Sequence, residues 1–153
     1  MNRAAEADRP SADTRRDDIL MGDDPVATVR KFIEFINNQS PAKLAALMSP
    51  DHRFVDSAGA VIQGREEMRK AWISYFVLIP DYHIEVEEVF AAGTTVAVFG
   101  RARGTYTADG TLRSADRWDL PAAWRAEVRD GLIQTWQVYA DNEPVRHIMA
   151  RYG

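Results

Sequence analysis

The chain has 153 residues, a length that fits one domain with one hydrophobic core. Its hydrophobic fraction of 46% and charged fraction of 27% are ordinary for a globular protein, and it contains no cysteine. Disulfides, thiolate nucleophiles and Cys-ligated metals are therefore excluded. No apolar run approaches the roughly 18 residues of a membrane helix, and there is no signal-peptide pattern. We expect a cytoplasmic protein without membrane contact.

The net charge is −4, and residues 1–24, with four Arg against seven Asp or Glu, hold −3 of it. The rest of the chain has no block of like charges, whereas nucleic-acid-binding proteins usually present a basic face. We expect no nucleic-acid partner and favour a small hydrophobic ligand. Residues 1–23 are polar and interrupted by Pro10, so we expect a disordered or loosely attached tail before a single domain over residues 24–153.

Two helices are predicted at the start of this domain. Asp24 can accept hydrogen bonds from the free N–H groups of a helix that begins at Pro25. Ser40-Pro41 is likewise a capping residue followed by proline and begins a short second helix. This helix ends at Ser49-Pro50-Asp51. The first helix has one apolar stripe at i, i+3, i+4 and i+7, formed by Val29, Phe32, Ile33 and Ile36.

A short strand and a third helix follow. A period of two places His52, Phe54 and Asp56 on one face of the strand. A turn bracketed by two glycines leads into the third helix, which begins at Arg65 and ends before Pro80. Its predicted buried stripe consists of Met68, Ala71, Trp72, Tyr75 and Phe76.

From Tyr82 onward, the pattern becomes that of extended strands. A first strand turns at Gly93 into a second over residues 95–107, and a third covers residues 112–120. Pro121 lacks a backbone N–H, so it marks an edge or a bulge. Alternation places Arg101 and Arg103 opposite a face of small and apolar residues, namely Val96, Val98, Gly100, Ala102 and Gly104.

The segment from Leu120 to Asp141 predicts a β-hairpin. Its centre, Asp130-Gly131, readily adopts the positive φ angles of a tight turn. A two-residue turn sets Trp124 opposite Gln137, whereas one extra residue in the turn sets it opposite Val138. We favour the longer turn because it keeps the apolar side chains together.

The predicted order is two helices, a strand, a helix and then five strands. A short terminal helix over residues 145–152 follows, capped by Asp141. Helices that precede an antiparallel meander indicate an α+β fold, in which the helices pack on one face of a strongly bent antiparallel sheet.

This order, together with the segments FVDSAG, QGREEM and VRDGLIQTWQVYAD, resembles the nuclear transport factor 2-like superfamily. The superfamily includes SnoaL-like polyketide cyclases, ketosteroid isomerases and limonene-epoxide hydrolases. The resemblance covers roughly residues 24–150. It implies a cone, or cystatin-like roll, in which the bent sheet wraps around a helix and encloses a pocket. Because this fold hosts many chemistries and also non-enzymes, it does not by itself assign a function.

The resemblance carries over to single residues only in part. It places Asp56 at the general-base position of ketosteroid isomerases. The two oxyanion donors of those enzymes, a Tyr and a protonated Asp, would fall at Phe32 and near Trp124. Arg101 could correspond to the Arg of epoxide hydrolases, whose two Asp positions are not acidic here. Gln137 stands where SnoaL-like cyclases carry an acidic residue, so each named chemistry lacks at least one group.

Asp56 is the main catalytic candidate. In an apolar cavity its carboxylate could take a proton alpha to a carbonyl or activate a water. Alternatively, it only accepts hydrogen bonds from the turn Ser57-Ala58-Gly59. His52 could assist Asp56 or lie at the rim. Arg101 could meet Asp56 in the cavity or lie with Arg103 on a solvated or dimer-facing sheet surface, which we favour because a sheet interior rarely buries two Arg.

Aromatic side chains are the expected pocket wall, although aromatic stripes commonly just fill cores. The predicted substrate-binding residues are Phe32, Phe54, Trp72, Tyr75, Trp118, Trp124, Trp136, Val138 and Tyr139. No His or Asp cluster has metal-ligand spacing, so we expect no metal and no cofactor.

Two functions remain open from the sequence. The first is a cofactor-independent isomerase, cyclase or hydrolase that uses Asp56 as general acid/base on a hydrophobic carbonyl or epoxide. The second is a ligand-binding or dimerisation domain of the same fold without chemistry. In either case we expect a homodimer formed through the open sheet face.

Overall fold

A computed structural model describes residues 24–153; the tail predicted over residues 1–23 lies outside this range. The elements in chain order are α1 Pro25–Asn37, α2 Pro41–Ala46, β1 Met48–Val55, β2 Val61–Gln63, α3 Arg65–Leu78, β3 His83–Ala92, β4 Thr95–Thr105, a 3₁₀ turn Ser114–Asp116, β5 Arg117–Arg129, β6 Leu132–Ala140 and α4 Glu143–Ala150.

The six strands form one curved, unclosed sheet in the order β2-β1-β6-β5-β4-β3. Strands β3 to β6 form the predicted antiparallel meander, but β1 runs parallel to β6. A parallel pair needs a crossover connection, and the chain between β1 and β6 provides one. The α+β class with a strongly bent sheet is confirmed.

The two strands predicted on either side of Pro121 are one strand, β5, so four strands and not five follow α3. Apart from shifts of one or two residues at element ends, the predicted elements differ from the structure in three further places. Strand β1 begins at Met48, so Pro50 lies within a strand, at a register irregularity between β1 and β6 where a missing N–H is tolerated. Strand β2 was expected to be only a turn, because three residues are too few to show alternation. Part of the strand predicted over residues 112–120 is the 3₁₀ turn.

Helix α1 packs against the inner face of the sheet through its predicted stripe, whose four side chains are almost fully buried. Asp24 caps the helix, since its carboxylate accepts a hydrogen bond from the backbone N–H of Val26 at 3.0 Å. At the other end, the side-chain amide of Asn37 donates to the carbonyl of Ile84 and accepts from its N–H. These bonds tie the end of α1 to the start of β3.

The β5–β6 hairpin has a two-residue turn in which Asp130 and Gly131 both have positive φ, at 53° and 71°. The ladder shifts register between Glu127 and Val128, so one residue of β6 bulges out. Trp124 consequently pairs with Val138, as expected. The extra residue, however, lies in strand β6 and not in the turn, because Asp130 and Gly131 adopt the positive φ angles that close a two-residue turn.

Two residues with special backbone requirements shape the sheet. A Cβ on Gly100 would lie 1.8 Å from the carbonyl oxygen of Glu85, beside the bulge in β3. Glycine is therefore required where the two backbones approach each other. Pro121 pairs with Arg101 of β4, while β6 pairs with β5 only from Ala122 onward. At Pro121, β5 therefore has β4 as its neighbour but not β6. This position is a local edge of the sheet, one of the two sites predicted for this proline.

None of the helices between residues 24 and 153 combines the length and the hydrophobicity needed to cross a membrane.

Candidate active site

A cavity of about 430 Å³ lies between the inner face of the sheet, α3 and the start of α4. Its wall is mainly apolar and aromatic. Six of the predicted binding residues line it, namely Phe54, Trp72, Tyr75, Trp118, Trp136 and Val138. They converge because β1, β5 and β6 turn alternate side chains inward while α3 crosses above them.

The other three predicted binding residues are outside the cavity lining. Phe32 is fully buried one layer behind, with its ring centroid 5.0 Å from that of Trp136. Trp124 is likewise enclosed in the core. Tyr139 is 49% exposed, because alternation on β6 turns it to the outer face between inward-facing Val138 and Ala140. The expectation that these residues bind ligand is therefore corrected.

Asp56 follows the last residue of β1 and lies on the cavity wall, partly exposed. One carboxylate oxygen, Oδ1, accepts hydrogen bonds from the backbone N–H groups of Ala58 and Ala60, both at 2.9 Å. These bonds hold the carboxylate in a fixed orientation. Its second oxygen has no hydrogen-bond partner within the described part of the chain. This arrangement allows Asp56 to stabilise the turn through Oδ1 and leaves Oδ2 free to act as a base.

His52 is completely buried and does not line the cavity, so the expected rim position is wrong. Its ring Nδ1 lies 2.8 Å from the carbonyl oxygen of Ile133, and it must donate because a carbonyl only accepts. The other ring nitrogen has no partner. Burial lowers the pKa of His52, against smaller opposing effects from Ile133 and Asp51. The alternation of β1 turns His52 to the same inner face as Phe54, and its ring lies 6.4 Å from that of Phe32 in the core.

Arg101 lies on the outer face of the sheet and does not reach the cavity. Its Nε donates to a carboxylate oxygen of Asp119 at 2.7 Å, and Arg103 pairs with Glu85 at 3.1 Å. Both pairs are largely solvent-exposed. The favoured expectation, a solvated sheet surface, matches these positions, whereas the placement of Arg101 among the catalytic residues is corrected. Along residues 24–153, no Lys, Arg or His lines the cavity.

Tyr82 is a cavity residue that the sequence pattern did not reveal, because it was interpreted only as the start of a strand. It is 7% exposed, and its ring stands edge-on to Tyr75 with centroids 5.0 Å apart. Burial raises the pKa of both phenols, and their proximity adds to the effect on Tyr75. The only signal in the sequence was the run of aromatics on both sides of Pro80.

Asn142 was also missed; its side-chain amide donates to the hydroxyl of Ser57 at 2.7 Å. This bond joins the start of α4 to the turn that holds Asp56. Asp141 was expected to cap the terminal helix; the N-cap residue is instead Asn142, and Asp141, one position earlier, accepts a hydrogen bond from the N–H of Glu143. Within residues 24–153, no group of three or more His, Cys, Asp or Glu is arranged to hold a metal ion.

The cone, its inner helix and its aromatic pocket define a member of the nuclear transport factor 2-like superfamily. Within that class, the sequence model of the SnoaL-like domain matches residues 29–136, and the chain belongs to this family. No curated protein sequence matches the chain significantly.

Several solved structures share the fold. A putative SnoaL-like polyketide cyclase from Jannaschia sp. CCS1 is 20% identical, covering 82% of this chain and 91% of that one, with a TM-score of 0.72. A hypothetical protein with a ketosteroid isomerase-like fold from Catenulispora acidiphila, in complex with trimethylamine, is 22% identical, with coverage of 77% and 88% and a TM-score of 0.67.

An LEH-like epoxide hydrolase from M. tuberculosis is 16% identical, covering 83% of this chain and 90% of that one, with a TM-score of 0.68. At these identities the similarity establishes the fold, and the chemistry must be argued from the site.

Proposed function

We propose that the protein is a cofactor-independent enzyme that moves a proton on a hydrophobic carbonyl or epoxide substrate, with Asp56 as general acid/base. The observation that supports this proposal is the position of the Asp56 carboxylate on the wall of an otherwise apolar, aromatic cavity. A base in such a place works on a substrate that the surrounding walls have largely stripped of water.

The hydrogen bonds of Asp56 suit this role. Oδ1 is held by two backbone amides, so the group does not have to be reoriented when a substrate enters. Oδ2 then takes the proton from a carbon next to the carbonyl; the electron pair of that C–H bond forms a C=C bond, and the π pair of the C=O bond moves onto the oxygen. Return of the proton to another carbon gives isomerisation. With an epoxide, the same oxygen takes a proton from a water that attacks one ring carbon, the ring C–O bond to that carbon breaks, and the released oxygen takes up the proton held by Asp56.

Two proteins of the same fold support the substrate class. One is a putative SnoaL-like polyketide cyclase and the other an LEH-like epoxide hydrolase. Both descriptions are compatible with an apolar cavity that presents few polar groups.

The experiment that tests the proposal replaces Asp56 by Asn. Asn retains an oxygen that can accept from Ala58 and Ala60, so the turn should persist. We expect turnover to fall by about 100-fold or more, while ligand affinity changes little. The assay is deuterium exchange of the α-protons of 2-acetylnaphthalene followed by NMR, together with hydrolysis of styrene oxide.

Asp51→Asn is the matched control, since Asp51 lies in β1, the strand that Asp56 follows, is exposed and does not line the cavity. Unchanged turnover in Asp56→Asn would refute the role of Asp56 as a base.

A second candidate function, ligand binding without chemistry, is favoured by one observation. The hydrogen bonds from Ala58 and Ala60 already give Asp56 a structural task in the turn. If the protein binds ketones and epoxides but transforms neither, and if Asp56→Ala only lowers the stability of the fold, this second function is the correct one.

We also propose that the protein forms a homodimer through the outer face of the sheet. This face exposes Phe90 and Phe99 in edge-to-face contact beside the pairs Arg101–Asp119 and Arg103–Glu85. A two-fold interface brings one patch against an identical patch, so a patch that carries both charge signs next to apolar rings is complementary to itself. The oligomeric state in solution tests this proposal.

A further inference from the structure

The wall of the cavity holds two phenol hydroxyls that have no internal partner. Tyr75 and Tyr82 both line the cavity, and neither hydroxyl forms a hydrogen bond with another group in residues 24–153. The indole N–H of Trp124 approaches the Tyr82 hydroxyl, but it does not form a hydrogen bond of regular geometry. Both hydroxyls are therefore free to donate to a ligand; the indole N–H groups of the lining residues Trp72 and Trp118 also have no partner among the described residues.

The surroundings hold the two phenol rings against each other and shield Tyr82 from bulk water. The Tyr82 ring packs against Tyr75, Trp118 and Trp72, with centroid distances of 5.0, 6.0 and 6.5 Å. Tyr82 is almost completely buried. A polar group that is buried without a partner is unfavourable, so an arrangement of this kind favours a ligand atom that accepts from it.

The protonation state of the pair determines what it can bind. Because burial raises the pKa of both phenols, they remain protonated at and above neutral pH and act as hydrogen-bond donors. The lining of this cavity contains no Lys, Arg or His within the described residues, whereas an adjoining cavity that shares Asp56, Tyr75 and Trp118 is also lined by Arg146. An anion bound between the two phenols would therefore share its lining with the Asp56 carboxylate and with no cation.

We propose that the hydroxyls of Tyr75 and Tyr82 form a binding site for the carbonyl oxygen of an uncharged, mainly apolar ligand. A carbonyl oxygen has two lone pairs and can accept from both phenols at once. The inference deepens the proposed function and rests on it in one respect: the oxygen held by the two phenols is the atom that gains negative charge when Asp56 removes the adjacent proton.

The proposal is tested with three probes that have the same ring system. 2-Acetylnaphthalene carries the carbonyl, 2-isopropenylnaphthalene replaces C=O by the isosteric C=CH₂, and 2-naphthoate carries a negative charge. Dissociation constants are measured by equilibrium dialysis for the full chain and for Tyr75→Phe and Tyr82→Phe. Tyr139→Phe is the matched control, because Tyr139 lies exposed on the outer face of the sheet.

We expect the ketone to bind in preference to the hydrocarbon and the naphthoate. A neutral hydrogen bond is worth roughly a five-fold change in affinity, so Tyr75→Phe and Tyr82→Phe should each reduce the ketone-to-hydrocarbon preference by about five-fold. Their affinity for the hydrocarbon should not fall, and Tyr139→Phe should change neither value. In infrared spectra, the stretching band of a ¹³C-labelled carbonyl should shift to lower frequency on binding, and less so in the two variants.

The proposal would be overturned by folded Tyr→Phe variants that retain the full ketone preference and the infrared shift. It would also be overturned if the ketone does not bind, or if 2-naphthoate or a trimethylammonium analogue binds more tightly than the ketone. These outcomes are distinct from failure of the proposed function, which is a loss of catalysis. Ketone binding that depends on both tyrosines without deuterium exchange would support this site and refute the enzyme.

Discussion

The two faces of the central sheet show how one set of strands can serve two purposes. On β4 and β5 the inward residues, among them Val98 and Trp124, are almost completely buried against α1 or beside the cavity. Their neighbours in sequence on the outer face include Phe99, which is 45% exposed, and Arg125, which forms an exposed ion pair. Because consecutive side chains of a strand point to opposite faces, neighbouring positions should respond very differently to substitution.

The largest expected effect is on the inner face. Trp124→Ala removes a large buried side chain from the core and should lower the free energy of unfolding by about 3–5 kcal/mol. Its neighbour Arg125 makes only an exposed pair with Glu127, so Arg125→Ala should cost less than about 1 kcal/mol. Urea unfolding followed by circular dichroism measures both values. If the two variants lost similar amounts of unfolding free energy, the inner and outer faces would not differ in their contribution to stability.

An intermediate effect should come from the buried His52. Its pKa in the folded state is lowered by burial, so below about pH 6.5 the unfolded chain binds a proton that the folded chain does not. Stability is therefore retained above this pH and lost as the pH falls below it, by at most about 1.4 kcal/mol per pH unit for one proton.

The measurement is the free energy of unfolding between pH 7 and pH 5. His52→Gln should show a shallower dependence on pH than the natural chain. His147→Gln is the control for the loss of an imidazole, because His147 is exposed on α4 beside Glu143. The pKa of His83 is also lowered, so part of the slope should persist in both variants. Equal slopes in the natural chain and in His52→Gln would contradict the prediction.

The smallest effect on folding is expected for the outer face, where the change should appear in assembly. Phe99→Lys places a charge in the proposed homodimer surface and should yield monomers in light scattering after size-exclusion chromatography. Since the side chain is partly exposed, stability at low protein concentration should change by only about 0.5 kcal/mol. Identical masses for this variant and the natural chain would refute an interface at this face.

Much of the fold followed from local patterns in the sequence. The stripe of α1, its cap at Asp24 and the alternation of β4 appear as predicted, and a hairpin turn forms at Asp130-Gly131, although it has two residues and not the extra one that was favoured. These features depend on residues within a few positions of each other, which a sequence shows directly. The same patterns placed six pocket residues correctly, because period two determines which face of a strand each side chain occupies.

The rest was decided by contacts between distant parts of the chain. The parallel pairing of β1 with β6 places His52 beside the carbonyl of Ile133 in the core, and the bulge in β6 selects the partner of Trp124. Tyr82 joins Tyr75 in the cavity only because the segment after α3 folds back beneath Trp118. A sequence determines which face a side chain takes within its own element, whereas only the packing of elements determines which faces meet, and the cavity exists where they meet.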